Sequence, residues 1–144
     1  MSDNTPKEKF EFRFKKFVTI DKNDQEKYNN LKKTPDSFLY NQEFTKIFIW
    51  AMTLGYIKGE SKKIQNPLSQ NIPTQVFTPE ERWMMISIYM SEKNKTIDAL
   101  FEADEILSNA EKYANGGFPF LWDMYKKNSN NPIEEIEEEF RLYL

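Results

Sequence analysis

Any chemistry in this chain must come from acids, lysines and hydroxyls, because its 144 residues include no histidine and no cysteine. Their absence removes the usual base near neutral pH, the commonest transition-metal ligand, the thiolate nucleophile and the disulfide. Pro35-Asp36, with Glu60-Ser61-Lys62 downstream, spells a loose form of the metal-dependent nuclease pattern. In that pattern two acids hold Mg²⁺ and a lysine assists the attacking water. The geometry needs adjacent strands, whereas Asp36 falls in a predicted turn and Glu60 in a predicted loop, so no catalytic residue is assigned. Asp98, Glu102 and Glu105 share one predicted helix face, a spacing that is ordinarily a solvated surface, and no metal or cofactor is assigned. Gly55-Tyr56-Ile57-Lys58-Gly59 lacks the spacing and the terminal Lys-Ser/Thr of a phosphate loop.

Binding is the other chemistry these residue types can support. Lys7, Lys9, Arg13, Lys15 and Lys16 interleave with Phe10, Phe12 and Phe14, a combination that suits single-stranded nucleic acid. Glu8 and Glu11 dilute its charge, and an edge strand with one ring-lined face explains the same alternation. Lys62 and Lys63 form a second basic spot that can contact phosphate or keep a loop solvated. Near the C-terminus, Ile136 and Phe140 are flanked by Glu134, Glu135, Glu137, Glu138 and Glu139. Such a helix either packs on its own domain or docks into a basic groove. Phe10, Phe12, Phe14, Ile136 and Phe140 are therefore the candidate partner-binding residues, and the seven cations are the candidates for direct DNA contact.

The net charge of −3 is unevenly spread: residues 1–63 carry 13 basic and 9 acidic side chains, whereas residues 132–144 carry 1 and 5. The chain is no strongly basic nucleic-acid binder. No apolar run follows Met1, and the longest one, residues 47–57, is far short of the roughly 20 residues a membrane helix requires. An intracellular protein is expected.

The elements that would position these residues read as mainly helical. The length fits one domain spanning 1–144, with 12 Phe, 7 Tyr and 3 Trp to fill its core and a polar, flexible stretch over 1–9. The alternation around Phe10–Ile20 predicts a short N-terminal strand or hairpin, with a slip at Lys16-Phe17. A polar helix is expected over about 24–33, stopped by Thr34-Pro35-Asp36-Ser37. Phe44, Ile47, Phe48, Ala51 and Met52 recur at helical spacing, and Ile49, Trp50 and Leu54 widen the stripe into a central buried helix that Gly55 or Gly59 ends.

A loop follows, with an extended piece around 72–77. Thr78-Pro79-Glu80-Glu81 then starts a helix through a capping box, and Trp83 to Met90 read as largely buried. Leu100, Ala103, Leu107, Ala110 and Ala114 mark the next helix. Asn115-Gly116-Gly117 should end it, Pro119 should open another, and an acidic helix over 132–144 should close the chain.

Two blocks carry a resemblance. Phe44-Thr45-Lys46-Ile47-Phe48-Ile49-Trp50-Ala51-Met52-Thr53-Leu54-Gly55-Tyr56, the Gly59 turn after it, and Glu111-Lys112-Tyr113-Ala114-Asn115-Gly116-Gly117-Phe118-Pro119-Phe120-Leu121 resemble the DNA phosphorothioation-associated protein 4 family, also called dnd system-associated protein 4. The likeness covers residues 44–121, with a looser middle. It implies small proteins of the bacterial cytoplasm that accompany DNA sulfur modification and its linked restriction machinery in phage or foreign-DNA defence. It supplies no catalytic residues. The combined expectation is a compact, mainly α multi-helix domain acting as a non-catalytic adaptor that binds other protein subunits. Direct DNA binding is the alternative, and a metal-dependent nuclease is the second.

Overall fold

The computed structural model describes residues 17–68, 72–93 and 103–127, together with the helical, exposed Arg141. Phe10, Phe12, Phe14, Lys7, Lys9, Arg13, Lys15, Lys16, Asp98, Glu102, Ile136 and Phe140 lie outside the described residues, as does most of the acidic tail. The described chain is mainly α-helical, with one two-stranded antiparallel sheet. Strand β1, Phe17–Val18, pairs with β2, Ile72–Pro73, placing Phe17 opposite Pro73 and Val18 opposite Ile72. The partner of Phe17–Val18 thus comes from the middle of the chain, while the rest of the predicted strand or hairpin lies outside the described residues. Backbone bonds from Lys22 N–H to Asn66 and from Leu68 N–H to Ile20 extend the pairing past the strand.

Helix α1 spans Gln25–Lys33 after a 3₁₀ turn at Lys22–Asp24, and it stops at Thr34 as the proline-containing turn requires. Tyr28 and Leu31 are its buried edge. Helix α2, Phe44–Lys58, is the central helix, with Ile47, Phe48, Ala51, Met52 and Leu54 fully buried. Of its two candidate stops, Gly59 is the one used. It takes φ 69°, the left-handed cap that lets its N–H reach the Gly55 and Tyr56 carbonyls.

Helix α3, Pro79–Lys93, begins with the expected capping box. Thr78 N–H donates to the Glu81 carboxylate at 2.8 Å, and Glu81 N–H donates to Thr78 Oγ1 at 3.1 Å. The other oxygen of Glu81 accepts from Lys46 Nζ at 2.8 Å, so one buried carboxylate caps α3 and ties it to α2. Met85, Ile86, Ile88 and Tyr89 face the core, but Trp83 and Met84 do not: they are 53% and 38% exposed. Their apolar character suggested burial, while their positions on the helix wheel face outward.

The largest departure is helix α4. It runs without interruption from Ala103 to Lys127, through Gly116, Gly117 and Pro119. Intrinsic propensity opposes this by about 1 kcal/mol for each glycine and about 3 kcal/mol for the proline. Burial of Phe118, Leu121 and Met124 offsets that cost, since each fully buried side chain of this size contributes about 1.5–3 kcal/mol. Aromatic packing consolidates the same stretch. Phe118 stacks on Tyr28 of α1 with centroids 4.7 Å apart, and Tyr28 meets Phe44 edge-on at 5.3 Å.

Pro119 is exposed and lacks the N–H that would reach the Asn115 carbonyl one turn back. In a continuous helix, Pro119→Ala restores that bond, and we expect thermal unfolding to move up by several degrees, up to the roughly 3 kcal/mol range of an internal proline. Were Pro119 the first residue of a new helix, the same substitution would leave the melting temperature unchanged or lower it.

Candidate functional site

The two blocks singled out in the sequence, residues 44–56 and 111–121, converge at one place, the crossing of α2 and α4. Gly55 of α2 lies against the backbone of Tyr113, and a Cβ there would overlap the Tyr113 carbonyl oxygen. Gly117 lies against Ala51 and Gly55, and a Cβ there would overlap the Ala51 carbonyl oxygen and the backbone of Gly55. The two helices meet backbone to backbone, closer than packed side chains allow. Gly116 has a different neighbour: its Cβ would overlap the Glu60 carbonyl and lie 3.0 Å from Ser61 N, so this glycine makes room for the loop that follows α2.

That loop, residues 60–63, is clamped along its backbone. Glu60 N–H donates to the Gly55 carbonyl at 2.8 Å, and Lys62 N–H donates to the Lys112 carbonyl at 3.0 Å. Asn115 Nδ2 donates to the carbonyls of both Lys62 and Lys63, at 3.1 and 3.2 Å. Yet Glu60, Ser61, Lys62 and Lys63 are all exposed. Lys112 on α4 is exposed beside them, and Lys58 at the end of α2 lies over the Phe120 ring, 4.7 Å from its centre.

On the neighbouring side of α4, three carboxylates gather around a narrow cleft lined also by Thr19, Ile20, Tyr28, Ala114 and Asn115. Glu111 is buried and accepts from Thr19 N–H at 2.6 Å, which pins the N-terminal strand to α4. Asp21 accepts from Asn23 N–H at 2.9 Å and from Gln65 and Asn66 N–H at 3.3 and 3.4 Å. The Asp24 carboxyl is pushed up to about 6 by burial and by the charge of Asp21, with Lys27 opposing. Burial pushes the Tyr28 phenol up as well, with Asp24 adding to the shift.

At the far edge of the crossing, desolvation, a hydrogen bond to Glu92, its charge and Tyr56 push Tyr113 up to about 12. Tyr56 packs edge-on against Tyr113 at 5.6 Å, and its hydroxyl lies 3.0 Å from Ser91 Oγ.

Of the residues singled out from sequence, Lys62 and Lys63 are brought together on the clamped loop. Asp36 sits in the turn after α1 and Glu60 in the loop after α2, both exposed and on segments without strand pairing. Glu105 accepts from the Tyr89 hydroxyl at 2.8 Å and so links α3 to α4. Among the described residues no group of three acidic side chains is arranged to hold a metal ion, and no helix is long and apolar enough to cross a membrane. Sequence reasoning missed Asn115 as a loop clamp and Glu111 as a strand anchor. It also read the double glycine as a helix stop and Pro119 as the opening of a new helix. The available signal was that three of the chain's four glycines fall inside two helical stripes. Comparison with protein-family profiles, with curated proteins and with solved structures finds no match.

A pH dependence follows from Asp24. Its folded carboxyl titrates at about 6 against 3.8 for the ordinary group, so the folded state holds the proton more tightly. Its favourable contribution is fully present below about pH 3.8 and is lost as pH rises through about 6. Asp24 makes no side-chain cap to α1, so an amide gives up no capping hydrogen bond there. Asp24→Asn should therefore melt a few degrees above wild type at about pH 8 and coincide with it near pH 3.5 to 4. A difference independent of pH would contradict this.

Proposed function

We propose that this chain is a non-catalytic accessory or adaptor subunit of a bacterial, cytoplasmic DNA-phosphorothioation-linked defence system, working by protein–protein binding. The observation that carries the binding part is the outer face of α3. Glu80, Trp83, Met84 and Ser87 recur at i, i+3, i+4 and i+7 and are exposed. Trp83 is 53% accessible, and Val76, just before the helix, is 45% accessible. A large ring and a thioether left accessible beside polar residues supply the apolar anchors that protein interfaces favour. The same face leads through Ser91 to Tyr56 at the helix crossing.

The context comes from the resemblance of residues 44–121. The two blocks that carry it build the crossing of α2 and α4. Three of the buried acids have structural duties: Glu81 caps, Glu111 anchors and Asp21 closes a turn.

The test is recovery of partners with the tagged full chain from its native cell. Sulfur-modification or restriction proteins are expected. Trp83→Ala combined with Met84→Ala should lower their recovery at least tenfold without lowering the melting temperature, in line with loss of a hot spot of about 2 kcal/mol. A reproducible set of unrelated metabolic partners would overturn the assignment. Undiminished recovery by the double variant would remove this face of α3 from it.

A further inference from the structure

We infer that the clamped loop 60–63 is a phosphate-contacting surface, which grips the sugar-phosphate backbone of a duplex nucleic acid without reading its sequence. Residues 60–63 contribute no buried side chain, so fixing them adds no apolar area to the core. The atoms nearest a Cβ on Gly116 are those of Glu60 and Ser61, and the Asn115 side-chain amide donates to the Lys62 and Lys63 carbonyls. A simple connection between helices needs none of this, because an exposed loop satisfies its carbonyls with water. The contacts fix the course of the backbone from which the exposed side chains Ser61, Lys62 and Lys63 project.

Lys112 is brought beside them by the Lys62 N–H bond to its carbonyl. Glu60 is exposed in the same loop, whereas the Glu111 carboxylate next to Lys112 in sequence is turned inward onto Thr19. Cation heads on a pre-ordered backbone suit a repeating array of phosphates, since less ordering entropy is lost on binding. A duplex is favoured over a single strand because the exposed side chains of this loop offer no ring on which a base can stack. With a net charge of −3 over the chain, contact is weak. The inference does not rest on the adaptor reading and survives its failure.

The test is fluorescence anisotropy of the full chain with labelled duplex DNA, at about 25 mM and about 150 mM salt. Binding should be detectable at low salt and weaken steeply at the higher. Lys62→Glu with Lys63→Glu lies on an exposed loop and should leave the melting temperature unchanged while cutting affinity at least tenfold. Lys62→Ala with Lys63→Ala should lower the salt slope by about 1.8, the loss of two phosphate contacts. Asn115→Ala keeps the cations and should weaken binding severalfold. No binding by wild type at low salt, or equal binding by the charge-reversed variant, would overturn the inference. So would competition by polyglutamate as effective as that by unlabelled duplex, which would mark an acidic protein as the ligand.

Discussion

The fold depends on one close approach, the contact of α2 and α4 at Gly55 and Gly117. Most helix pairs are held 8–10 Å apart by the side chains between them. Here those side chains are missing by design of the sequence, and backbone faces backbone from Ala51 to Tyr113. Helix α4 then serves as the spine to which the other helices, the chain just beyond β1 and the loop after α2 are tied. Phe118 stacks on Tyr28 of α1, Glu111 receives Thr19 beyond β1, and Glu105 receives the Tyr89 hydroxyl of α3. Asn115 and Gly116 hold the loop after α2. If α4 broke at its glycines, the Phe118 and Asn115 contacts would part, so the uninterrupted helix and the clamped loop are a single structural fact.

The elements legible in the sequence were those set by local rules. The stripe of α2, the Gly59 cap and the Thr78–Glu81 capping box depend on spacing and backbone preference within a few residues, and they stand where those rules put them. What misled was the stretch Asn115-Gly116-Gly117-Phe118-Pro119. Local propensity there favours a stop, and the deciding terms are long-range: burial of Phe118 and the approach of a helix some sixty residues earlier in the chain. Glycines inside a helical stripe carry two meanings, a stop or a contact, and no rule of spacing separates them. Trp83 and Met84 show the converse limit. Their types suggest burial, and only the packed positions of Met85, Ile86 and Tyr89 reveal which face of α3 turns outward.

The candidate site was half legible for the same reason. Lys62 and Lys63 were visible as a basic spot, but the clamp that sets them apart from any solvated loop comes from Asn115, more than fifty residues away. The two blocks singled out in the sequence, residues 44–56 and 111–121, are the ones that build the crossing. Glycine, asparagine and an aromatic at fixed positions are what a backbone-to-backbone crossing with an attached loop demands.

The most direct measurement is a double-mutant cycle on Gly55→Ala and Gly117→Ala, followed by urea unfolding. Each substitution should destabilise by about 2 kcal/mol or more, as overpacking does, because the helices must separate. The pair should cost at least 1 kcal/mol less than the sum, since one separation makes room for both methyl groups. Stabilisation by about 1 kcal/mol per alanine, the ordinary gain in a helix with open space, would contradict the close approach.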